Sequence, residues 1–93
     1  MAVKVNVTSV IQKVVDGQRE FQEDGATVGE LISNIDRRYP GFAHQLLDDH
    51  GEVFRFVNIY LNDEDVRFLK GKDTPLADGD TVSILPALAG GAR

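Results

Sequence analysis

Between Thr27 and Tyr39 the apolar residues Val28, Leu31, Ile32 and Ile35 recur at i, i+3, i+4 and i+7, so they share one face of an α-helix. Thr27 is a good N-cap, and Glu30 three residues later completes a capping-box pattern. Pro40-Gly41 stops the helix, with Tyr39 at its end. A helix with one apolar stripe must bury it against something, and the rest of the chain offers a sheet. Val3, Val5 and Val7 alternate with Lys4, Asn6 and Thr8, as a half-buried strand does. Asp16-Gly17 is a hairpin signal, after which Arg19 to Gln22 should return antiparallel with Phe21 inward. In between, Val10, Ile11, Val14 and Val15 are less regular, as a bend or surface loop would be.

Phe54 to Asn62 is the strongest strand, with Val57, Ile59 and Leu61 facing one way and Phe56, Asn58, Tyr60 and Asn62 the other. Asn62 to Asp65 reads as a turn and Val66-Arg67-Phe68 as a short returning strand. Phe42 to Leu47 reads as a short second helical turn. Asp78-Gly79-Asp80 is a tight-turn signal that launches a final strand, with Val82 and Ile84 on one face and Thr81, Ser83 and Leu85 on the other. The chain of 93 residues has room for one core. The expectation is an α+β roll: a mixed sheet of about four to five strands with one main helix on one face; if the last strand pairs beside the first, the two run parallel. Val3, Val5, Val7, Phe21, Leu31, Ile32, Ile35, Val57, Ile59, Leu61, Val82 and Ile84 should form its core. The domain is expected over residues 1–86, followed by a flexible tail over residues 87–93.

Little in this chain suggests a self-contained active site. With no cysteine there are no disulfides, thiolate metal sites or cysteine nucleophiles. His44 and His50 fit no common metal-ligand spacing, so no metal is expected. Asp48-Asp49 and Asp63-Glu64-Asp65 fall in expected turns, where carboxylates face water rather than a cleft. Ser9, Ser33 and Ser83 lack a nucleophile-elbow context, and no glycine-rich phosphate loop is present. The net charge of −5, with scattered basic residues, disfavours nucleic acid as a partner. No apolar run approaches the roughly 20 residues of a membrane span, and the N-terminal residues lack a signal-peptide pattern. A cytoplasmic location is therefore expected.

Pro86 ends the final strand, because it has no N–H to donate. Small, uncharged residues follow as far as Gly90-Gly91. Read alone, they could simply be a chain end of small residues. They also suit a segment that threads into a narrow site on another protein, where side chains would clash. On the strand face away from the helix, Phe56 and Tyr60, with Leu85 beside the tail, are expected to form a partner-binding patch or to pack against neighbouring loops.

Asn58 to Asn62, Leu76 to Pro86 and Gly90-Gly91 together resemble the ubiquitin-like sulfur-carrier proteins. That family includes the small subunit of molybdopterin synthase and the carrier of thiamine thiazole synthesis. Arg55-Phe56-Val57-Asn58-Ile59-Tyr60-Leu61-Asn62-Asp63-Glu64-Asp65-Val66-Arg67-Phe68 is most similar to the carriers of thiocarboxylate-dependent cysteine synthesis. The resemblance implies a β-grasp fold and a protein co-substrate rather than an enzyme. It implies that a separate enzyme uses ATP to adenylate the carboxylate of Gly91, with Leu88, Ala89 and Gly90 recognised as the tail. A sulfur donor then leaves a thiocarboxylate, and the resemblance suggests that a sulfur-accepting synthase dependent on pyridoxal phosphate takes the sulfur. The chain itself would bind no cofactor. One departure is that Ala92-Arg93 follow Gly91, which implies removal by a peptidase, plausibly a zinc metalloprotease. A lysine-conjugated protein modifier and a non-covalent β-grasp binding module are the alternatives.

Overall fold

The computed structural model describes residues 2–8 and 10–86. Among the described residues five strands form one sheet: β1 (Ala2–Val7), β2 (Glu20–Asp24), β3 (Val57–Leu61), β4 (Glu64–Asp65) and β5 (Thr81–Pro86). The helices are α1 (Val10–Val14), α2 (Val28–Arg38) and α3 (Phe42–Leu46), with 3₁₀ turns at Val66–Phe68 and Gly71–Asp73. The order across the sheet is β2-β1-β5-β3-β4. The last strand thus lies in the centre, parallel to β1 and antiparallel to β3. This is the α+β roll expected from the sequence, with the β-grasp arrangement.

The main helix forms for the reasons its sequence suggests. The Thr27 hydroxyl accepts from Glu30 N at 3.1 Å, while Glu30 Oε1 accepts from Ala26 N at 2.8 Å, one residue ahead of the usual capping-box donor. Val28, Leu31, Ile32 and Ile35 are buried against Val3, Val5, Val7, Phe21, Val57, Ile59, Val82 and Ile84 of the sheet, in one cluster. Each fully buried side chain of this size is worth roughly 1.5–3 kcal/mol before the entropy of ordering it.

Several local expectations change. Val10 to Val14 is a helix rather than a bend, and its Ile11, with Val15 just beyond, plugs the core. Asp16 and Gly17 take left-handed φ of 59° and 77°, yet they do not join two strands directly. They end α1, where Gly17 N donates to Gln12 O at 2.7 Å in a Schellman-like closure. The antiparallel return stands, with Phe21 opposite Val5. The strand expected from Phe54 begins only at Val57, because Val57 N turns back to Phe54 O at 3.1 Å. Val66-Arg67-Phe68 is a 3₁₀ turn, and the returning strand is the two residues before it. Leu61 is only half-buried; Phe42, Leu46, Val66 and Leu76 take core places instead.

Candidate functional site at the exit of the last strand

The start of β5 is held by short polar side chains. Asp80 Oδ2 accepts from Ala77 N at 2.8 Å, and Gly79 takes a φ of 89°. Asp80 Oδ1 accepts from Asn62 Nδ2 at 3.1 Å, while Asn62 Oδ1 accepts from Thr81 N at 2.9 Å. Asp78 Oδ1 accepts from Ala2 N at 3.0 Å. The Asp-Gly-Asp turn thus pins β1, β5 and the β3–β4 turn together at one end of the sheet. That second turn has two residues, Asn62 and Asp63, both left-handed, as a type I′ hairpin requires.

At the other end β5 finishes at Pro86. Its pairing with β1 stops at Val7 opposite Ile84, whereas β3 accompanies it to Val57 opposite Pro86. The root of the tail therefore has a strand neighbour on one side only. On the sheet face away from α2, Tyr60, Asp63, Ser83 and Leu85 line an open hollow of about 300 Å³. Tyr60 and Leu85 are half-buried, so two members of the expected patch do come together.

Phe56 does not lie with them. It sits in the turn before β3, 51% exposed, with its ring stacked on Phe54 at 4.9 Å between centroids. The expectation put it on the strand, but the Phe54–Val57 turn takes it out of the period-2 alternation. Leu88, Ala89, Gly90, Gly91, Ala92 and Arg93 lie outside the described residues.

Arg67 is the functional-site neighbour that the sequence reading missed. Its Nη1 donates to Asn58 Oδ1 at 2.9 Å, and its Nη2 to Arg55 O at 3.1 Å, Phe54 O at 3.4 Å and Val57 O. Strand pairing across the Asn62-Asp63 turn ends at Tyr60 opposite Asp65, and Arg67 lies in the 3₁₀ turn beyond it, so hairpin register gave no signal for its contacts.

His44 and His50 are exposed, and among the described residues no group of three or more His, Asp or Glu side chains could hold a metal. Asp48 serves its own loop: the N–H groups of Glu52 and then His50 hold its carboxyl below the usual carboxylate range. Among the described residues no helix is long and apolar enough to cross a membrane.

The fold is a ubiquitin-like β-grasp, and its central strand ends at Pro86, shortly before Gly90-Gly91 in the sequence. The chain belongs to the ThiS family, whose profile matches residues 3–91. It is 45% identical over 93 residues to the sulfur carrier protein CysO of Mycobacterium tuberculosis, covering 98% of this chain and all (100%) of that one. It is 37% identical over 94 residues to small archaeal modifier protein 3 of Haloferax volcanii, covering 98% of this chain and 100% of the relative. A crystal structure of the Amycolatopsis orientalis BexX/CysO complex matches with a TM-score of 0.89 and 39% identity, over 96% of this chain and 99% of that one.

Proposed function

We propose that the chain carries sulfur as a thiocarboxylate on Gly91 and delivers it to biosynthesis, most directly of cysteine or a related sulfur metabolite. The observation that carries this reading is the placement of Gly90-Gly91 a short way beyond a central, well-anchored β5. Residues 87–91 can span at most about 17 Å. The domain can therefore dock outside a partner's active site while the last glycine reaches in.

Whatever follows Gly91, here Ala92-Arg93, must first be hydrolysed away, plausibly by a zinc metalloprotease, to expose the glycine carboxylate. In an adenylating enzyme that carboxylate attacks the α-phosphorus of ATP, forming the acyl adenylate and expelling pyrophosphate. A sulfide-level donor, HS⁻, attacks the acyl carbon; the bond to AMP breaks, AMP leaves, and the proton goes to solvent. The resulting thiocarboxylate is anionic near neutral pH and a strong nucleophile. A sulfur-accepting synthase, of the pyridoxal-phosphate-dependent kind, would provide the electrophile. Tyr60 and Leu85, in a hollow that runs along β5 from the Asn62-Asp63 turn to Leu85, would help these enzymes grip the domain, with Phe56 in the turn before β3.

The test is ATP–pyrophosphate exchange by the adenylating enzyme of the same cell. The chain ending at Gly91 should support exchange, and the chain retaining Ala92-Arg93 should not. Equal exchange by both, or none with either, contradicts the reading.

The resemblance to small archaeal modifier protein 3 favours one second reading, conjugation through Gly91 to lysines of other proteins. Isopeptide-linked Gly91 in tryptic digests of whole cells would establish it. A proteome without such links leaves sulfur carriage as the use of the tail.

A further inference from the structure

We propose that Arg67 is a positioning residue for the tail reaction: it clamps the Phe54–Val57 turn against the place where the tail leaves the sheet. This rests on the sulfur-carrier reading and adds to it a residue that touches neither the tail glycines nor any reacting atom.

The geometry is specific. One guanidinium gathers the carbonyls of Phe54, Arg55 and Val57 and the side-chain oxygen of Asn58. Asp65, whose Oδ1 also accepts from Arg67 N at 2.8 Å, places its other oxygen 3.6 Å from Nη1 and steadies the charge. Two residues of this collar are the last partners of β5: Asn58 lies opposite Leu85, and Val57 opposite Pro86. On the other side of β5, pairing with β1 has ended at Ile84. Leu85 and Pro86 are therefore held from the β3 side alone, and Arg67 holds that side in place. The same clamp fixes the turn that displays Phe56. Two N–H-bearing nitrogens in a rigid plane serve four oxygens at once, which the single ammonium of lysine does not reproduce.

The test uses the chain ending at Gly91 and its adenylating enzyme, with Arg67→Ala, Arg67→Lys and, as a control for lost stability, Ile32→Val in α2. At a temperature where all are folded, both Arg67 variants should raise KM for the carrier by roughly tenfold or more with kcat within about twofold, because docking rather than chemistry is disturbed. Ile32→Val should leave KM unchanged. Amide NMR shifts of Ile84 and Leu85 should move in the Arg67 variants and not in Ile32→Val. Unchanged KM in folded Arg67→Ala, full rescue by lysine, or an equal rise in Ile32→Val overturns the proposal. A wild-type chain that is not adenylated contradicts the carrier reading instead. In that case the Ile84 and Leu85 shifts still decide whether the clamp exists.

Discussion

Gly25 shows how tightly single residues are specified where the sheet meets α2. A Cβ built there would lie 2.8 Å from the N and Cα of Leu31, backbone atoms that cannot swing aside. Gly25→Ala is expected to cost about 1–3 kcal/mol through overpacking, read as a lowered denaturant midpoint; an unchanged midpoint contradicts the close approach. Asp48 makes a different kind of claim. Its carboxyl is held low by the N–H groups of Glu52 and His50. A carboxylate with a lowered folded pKa stabilises the fold above its unfolded pKa, and that contribution is lost as pH falls through the folded value. An NMR titration of the Asp48 side chain should place its midpoint below that of an unstructured aspartate, and Asp48→Asn should flatten the acid limb of the stability profile. A midpoint in the ordinary range contradicts the two hydrogen bonds. Neither residue could be read from the sequence, because Gly25 depends on helix–sheet distance and Asp48 on how a loop closes. Thr27 and Glu30 could be, since both cap residues lie within one helical turn.

At the scale of elements, α2, β1 and β5 were legible because their apolar residues keep one period throughout. The short helix α1 was not: five residues hold too few repeats to separate a helix from an irregular apolar run. The start of β3 was misplaced because the Phe54–Val57 turn carries aromatic residues of the kind strands favour. The elements also manage an exposed edge. The outermost strand β2 has the carbonyls of Asp24 and Gln22 accepting from Asn34 and Arg38 of α2. Arg38 also pairs with Glu23 at 2.7 Å, and that hydrogen bond and charge hold its pKa above the ordinary arginine value. These contacts occupy acceptors that an incoming strand would need. Asn34→Ala with Arg38→Ala is expected to promote self-association at high concentration, seen by sedimentation velocity. A double variant that stays as monomeric as the parent contradicts the edge-covering role.

As a whole, the molecule treats the two ends of β5 differently. The Asp-Gly-Asp turn ties β1, β5 and the β3–β4 turn at one end of the sheet, and β5 ends at the other opposite Asn58 and Val57, both of which Arg67 contacts. The sequence made the two ends visible as motifs. It did not reveal that β3 alone accompanies the last residues of β5, since that follows from how far each neighbouring strand extends. The central claim is that Gly91 becomes a thiocarboxylate. It is tested most directly by intact-protein mass spectrometry of the chain isolated from its own cells under sulfur limitation. The expected result is a chain ending at Gly91, with a fraction heavier by the difference between one sulfur and one oxygen atom. A chain that keeps Ala92-Arg93 throughout, or ends at Gly91 without any heavier fraction, would contradict it.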